Sequence, residues 1–115
     1  MSTTVQALFT YRVKPGCEEQ FQSYIDKVFP VTEANEPYVV GYEIFQNADG
    51  IYLQHETYEN EDAIWKHMNV TASGQADFAA STELLSVQML GSVSDKFRET
   101  YGHPEVFGDF KRVTR

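Results

Sequence analysis

Apolar and polar positions alternate from Val5 to Val13, with Val5, Ala7, Phe9, Tyr11 and Val13 on one side and Gln6, Leu8, Thr10 and Arg12 on the other. That period of two predicts a strand. Lys14-Pro15-Gly16 ends it. Beyond Cys17 the apolar residues Phe21, Tyr24, Ile25, Val28 and Phe29 recur at i, i+3, i+4, i+7 and i+8, the spacing of a long amphipathic helix. Pro30 is expected to kink or restart this helix, and Glu36-Pro37 to close it, because a residue before proline avoids the helical region. Residues 38–46 and 51–58 read as two strands joined by Asn47-Ala48-Asp49-Gly50, whose Asn, Asp and Gly favour a tight antiparallel hairpin.

Asn60 suits a helix N-cap, and Glu61 and Asp62 then place negative charge at the positive end of the helix dipole. Ile64, Trp65 and Met68 form a narrow apolar stripe, with His67 at its edge. A second short helix is expected over residues 73–82, a strand over 84–90 ended by Gly91, a helix over 95–101 stopped by Gly102, and a terminal strand over 106–113. The order β-α-β-β-α-β over residues 5–90 predicts an α+β fold, the ferredoxin-like split βαβ plan, with an antiparallel sheet and helices on one face. One domain spans residues 1–115, with residues 94–113 as an extension. Both faces of the middle strands look largely apolar, as with Val40, Tyr42 and Ile44 against Val39, Gly41 and Phe45. A second copy, packed sheet against sheet about a two-fold axis, is the economical cover. The segment after Gly102 would then be free to add to the partner's sheet.

The apolar fraction of 42% is ample for one core at 115 residues, and the net charge of −8 leaves no basic stripe before Lys111, Arg112 and Arg115. Nucleic acid is therefore a poor partner, since phosphate contacts need clustered positive charge. Cys17 stands alone, which excludes an intrachain disulfide and a cysteine metal site and fits a reducing compartment. Neither a secretory signal nor an apolar run near the roughly 18 residues of a membrane span is present, so a cytoplasmic location is expected and no membrane partner. His55, His67 and His103 show no His-x-x-x-His or His-x-His spacing, so no metal site is expected. His103, beside Pro104, is expected at the surface.

Glu36-Pro-x-x-x-x-Tyr42-Glu43, followed by Glu56-x-Tyr-x-Asn-x-Asp-Ala-Ile-x-x-His67, resembles the antibiotic biosynthesis monooxygenase (ABM) family of the dimeric α+β barrel superfamily. The chain departs from it at Tyr38, where the family tends to have Gly. The resemblance implies a homodimer, and in each subunit a pocket between helices and sheet for a small, flat quinol- or anthrone-like aromatic. Family oxygenases use neither metal nor flavin, because a deprotonated dihydroxyaromatic can itself pass an electron to dioxygen; no cofactor is therefore expected. The protein would supply a base, aromatic walls and exclusion of water.

On this resemblance His67 is the candidate base or phenolate anchor, its ordinary pKa of about 6.5 suiting proton transfer at neutral pH. Trp65 is the candidate wall. His55, with Tyr11, Tyr42 and Tyr58, is the candidate substrate-binding set, although each aromatic would serve equally as core. Haem breakdown in related proteins uses a His about ten residues beyond the Trp. Gln75 stands there, and the first strand offers no Asn, so haem breakdown is not expected. The competing function is a non-catalytic dimeric protein of the same fold that binds a small molecule or serves in stress.

Overall fold

The computed structural model describes residues 3–115; Met1 and Ser2, the start of the predicted domain, lie outside the described residues. Its elements are β1 (Val5–Val13), α1 (Glu18–Asn35), β2 (Val39–Gln46), β3 (Tyr52–Tyr58), α2 (Glu61–Val70), α3 (Ala72–Ser81), β4 (Thr82–Leu90), α4 (Asp95–Thr100) and β5 (Glu105–Phe107). The strands form one open sheet in the order β2-β3-β1-β4-β5. The first four pair antiparallel, as the ferredoxin-like plan requires, whereas β5 runs parallel to β4.

Local chemistry explains most boundaries. The Asn60 side chain accepts from Ala63 N at 2.9 Å and starts α2. Thr71 ends α2 by returning its hydroxyl to His67 O, so what reads as one helix and a short follower becomes two abutting helices. Asn47 Oδ1 accepts from both Asp49 N and Ile51 N, and Gly50 takes the left-handed backbone (φ 79°) that closes the hairpin.

Three expectations need correction. Helix α1 does not restart at Pro30 but continues through it, with Tyr24 buried before the proline and Thr32 after it. In β2 a register shift between Val39 and Gly41 loops Val40 out to solvent and returns Val39 to the helix-facing side, so strict alternation fails there. The terminal strand covers only Glu105–Phe107 and pairs with the chain's own β4, with Gly91 N donating to Phe107 O at 2.9 Å.

All four helices pack on one face, where Val5, Ala7, Tyr58, Ile64, Met89 and Phe97 build the core. The other face is mixed. Leu8, Phe45 and Leu53 are apolar, but Gln6, Thr10, Glu43 and His55 share the face, so it is less apolar than the pattern suggests.

Candidate active site

Strand β3 aims Gln54, Glu56 and Tyr58 at the helices, since residues two apart share a face. Between them and α2, α3 and α4 lies a cavity of about 350 Å³. Its walls are apolar, with Phe9 and Met89 from the sheet, Ile64 and Met68 from α2, Phe78 from α3 and Phe97 from α4. Its polar lining consists of Tyr24, Gln54, Glu56, Tyr58, Gln75 and Tyr101, and Glu56 is the one ionisable carboxylate among the lining residues, which include no Lys, Arg or His.

Glu56 is held from both sides. Tyr58 donates to Oε1, and Gln54 Nε2 donates to Oε2 at 2.6 Å. Gln54 Nε2 also reaches Tyr24 Oη at 2.9 Å, while Gln54 Oε1 accepts from Tyr11 Oη at 2.7 Å. The Tyr24 and Tyr42 hydroxyls lie 2.5 Å apart. Burial raises the Glu56 carboxyl above the ordinary value, and the Tyr58 donor, the nearby His67 and the Gln54 donor only partly oppose it. The same burial, with the Glu56 charge beside them, pushes the phenols of Tyr24, Tyr42 and Tyr58 upward, so they remain neutral donors. Each Glu56 oxygen has a second lone pair, so the carboxylate can still accept a proton from a hydroxyl in the cavity.

Behind this lining stands a second buried pair. His67, wholly buried, shares a 2.9 Å contact between Nδ1 and Glu36 Oε1. Thr32 also donates to Glu36 Oε1, and Tyr38 to Oε2 at 2.7 Å. Burial opposes ionisation of Glu36, but the donors Tyr38, His67 and Thr32 outweigh it and hold the carboxyl below its ordinary value. Burial and this carboxylate push the Tyr38 phenol up to about 12. The His67 ring packs against Tyr42 and Tyr58 at 5.1 and 5.7 Å between centroids. Its Nε2 is buried with no hydrogen-bond partner among the described residues.

The structure thus brings together only part of the candidate set. Tyr58 lines the cavity; Tyr11 and Tyr42 stand one layer behind it, tied in through Gln54 and Tyr24. His67 also lies outside the lining, against Tyr42 and Tyr58. Trp65 packs on Phe97 and Tyr101, behind the cavity wall, and donates to Glu61 at 2.9 Å. His55 sits on the opposite face of the sheet, its Nε2 2.6 Å from Gln6 Oε1, and cannot touch a ligand in this cavity. Gln54, Glu56, Tyr24 and Glu36 escaped the sequence reading of roles. The available signal was Gln54-x-Glu56-x-Tyr58, polar groups at strand period on the face opposite His55. His103 is exposed, in a turn at φ 53°. Among the described residues no group of three His, Cys, Asp or Glu side chains is placed to hold a metal ion, and no helix is long and apolar enough to cross a membrane.

Similar folds are found among solved structures. MupZ from Pseudomonas fluorescens superposes with a TM-score of 0.81 over 100% of this chain and 91% of its own, at 18% identity. Rv0793 from Mycobacterium tuberculosis gives 0.64 over 80% of this chain and 97% of its own, at 18% identity. SnoaB from Streptomyces nogalater, a cofactor-independent oxygenase, gives 0.63 over 81% of this chain and 96% of its own, at 12% identity. No curated protein matches the sequence. The family model for antibiotic biosynthesis monooxygenase matches residues 4–77, which carry β1 through most of α3 and so both the Glu56 network and the Glu36–His67 pair; the chain belongs to that family.

Proposed function

We propose that the protein is a cofactor-independent monooxygenase that oxidises a small quinol-like aromatic with dioxygen, in the manner named for SnoaB. The observation that carries this reading is Glu56, a buried carboxyl with raised proton affinity, at the polar end of an otherwise apolar cavity. A quinol bound with one hydroxyl toward Glu56 gives up that proton to the carboxylate. The resulting anion passes electrons to dioxygen, one oxygen atom enters the ring, and the other leaves as water. A quinol plus dioxygen thereby yields a hydroxyquinone plus water. The apolar walls exclude bulk water from the anion, and Tyr24 and Tyr58 orient the hydroxyl. In this assignment Glu56 takes the role of base, and His67, held by Glu36, acts through Glu56 rather than on the substrate.

The working unit we propose is a homodimer built on the outer sheet face, and the lone Cys17 suits a cytoplasmic setting. The test is oxygen uptake by chelator-treated, flavin-free protein against hydroquinones, naphthohydroquinones and anthrones, with autoxidation subtracted. Turnover is expected, with hydroxyquinone as product from the quinols and anthraquinone from the anthrones, each with one water. Thermal stabilisation by these compounds without oxygen uptake would favour the non-catalytic binding protein instead, because a ligand bound only to the folded state raises stability by mass action.

A further inference from the structure

The family match ends at residue 77, yet the cavity does not: Phe97, Tyr101 and Pro104, all beyond the match, line it. These residues come from α4 and the turn after it, and both ends of that segment are fixed. At its start Ser94 caps α4 by accepting from Phe97 N at 3.1 Å. Ser94 also donates to Glu61, through N to Oε1 at 2.6 Å and through Oγ to Oε2 at 2.8 Å. The same Glu61 carboxylate accepts from Trp65 Nε1 at 2.9 Å, so one side chain of α2 ties α4 to the indole. Trp65, Phe97 and Tyr101 then form a closed triangle of rings, with centroids 5.8, 5.5 and 4.7 Å apart. At its far end Gly102 and His103 take positive φ, turning the chain so that Pro104 meets the cavity and β5 reaches β4.

We infer that residues 94–104 are a specificity wall, with Tyr101 setting the length of the ligand and Trp65 positioning Tyr101 from behind, and that the ligand is a small uncharged hydroxyaromatic. The charge follows from the lining. An anion such as a carboxylate or phosphate would be buried beside Glu56 with no cation among the lining residues to offset it. The size follows from the volume of about 350 Å³, near the lower end of ligand pockets, which run from roughly 300 to 1,000 Å³. Within such a cavity Tyr101 is half-buried, one side on the ring triangle and the other on the cavity. Shortening it lengthens the cavity without touching the Glu56 network.

This rests on the cavity being the substrate site and not on the oxygen chemistry, and binding separates the two. Affinities for 2-naphthol and 2-anthrol, with two and three fused rings, are measured by fluorescence titration under nitrogen. The native protein is expected to prefer 2-naphthol. Tyr101→Ala is expected to raise the 2-anthrol to 2-naphthol affinity ratio at least about tenfold, the low end of what a single misfitted group costs in an apolar pocket. Tyr101→Leu, which keeps an apolar contact with Phe97, is expected to move the ratio the same way by less. Equal affinities in the native protein, or an unchanged ratio in a folded Tyr101 variant, would overturn the wall. Loss of oxygen uptake with the ratio behaving as expected would count against the oxygenase reading alone.

Discussion

Glu56 and Glu36 are two buried carboxyls whose surroundings push them in opposite directions, and the contrast separates function from stability. Glu36 is depressed, so its contribution to folding is fully present above the unfolded carboxyl value and is lost as pH falls through the lower folded value. Breaking the Glu36–His67 pair from one side is expected to cost about 3 kcal/mol, because it leaves a buried polar partner behind. Glu36→Gln should therefore lower the urea midpoint at pH 7 and flatten its decline toward acid; an unchanged midpoint would remove the pair from the stability of the fold. Glu56 is raised, so the folded state loses stability as pH climbs from the unfolded value through the folded one. Glu56→Gln is thus expected to raise the thermal midpoint at pH 8 while lowering turnover. The electrostatic influence of His67 lowers the Glu56 carboxyl. The rate needs Glu56 ionised, so His67→Gln should move the acid limb of the pH–rate profile to higher pH; a limb that stays put would mean His67 is only structural.

At the scale of elements, α1 and α3 meet at Gly74, where an added Cβ would lie 2.4 Å from Val28 Cγ2 and 3.3 Å from Lys27 Cβ. Gly74→Ala should cost about 1–3 kcal/mol of overpacking, read as a lower midpoint in equilibrium unfolding. No loss would show that the two helices slide apart freely. Elements of this kind were legible in the sequence wherever one local rule governed: the spacing of Phe21, Tyr24, Ile25, Val28 and Phe29 gave α1, and Asn60 gave the start of α2. They were illegible where tertiary contacts overrode the local rule. Pro30 did not restart α1 because packing carries the helix across it, and the bulge at Val40 leaves no mark in the alternation. Trp65 looked like a wall because its flat ring could stack on an aromatic ligand, but α4, a distant element, came between it and the cavity. Glu56 went unassigned because the strand period of Gln54, Glu56 and Tyr58 gives a shared face but not its burial; the phenols and amide arriving from β1, α1 and β3 supply that.

At the scale of the molecule, the helix face is complete and the outer sheet face is not. Phe45 and Leu53, paired across β2 and β3, remain 52% and 41% exposed, and Leu8 lies near them one strand further in. Burying this row against its two-fold copy gives the proposed dimer, and Leu53→Lys should shift multi-angle light scattering at micromolar protein from dimer mass to monomer mass. A native protein that already runs as a monomer would remove the two-fold assembly. The cavity opens on the opposite side of the sheet, so the proposed chemistry lies within one subunit and centres on Glu56. The most direct test is oxygen uptake by native protein and by Glu56→Gln on the best hydroquinone or naphthohydroquinone, at matched pH and with folding verified. With Glu56 as the base, the rate falls at least about a hundredfold, the usual contribution of a positioned base. A Glu56→Gln rate within a few-fold of native would contradict it.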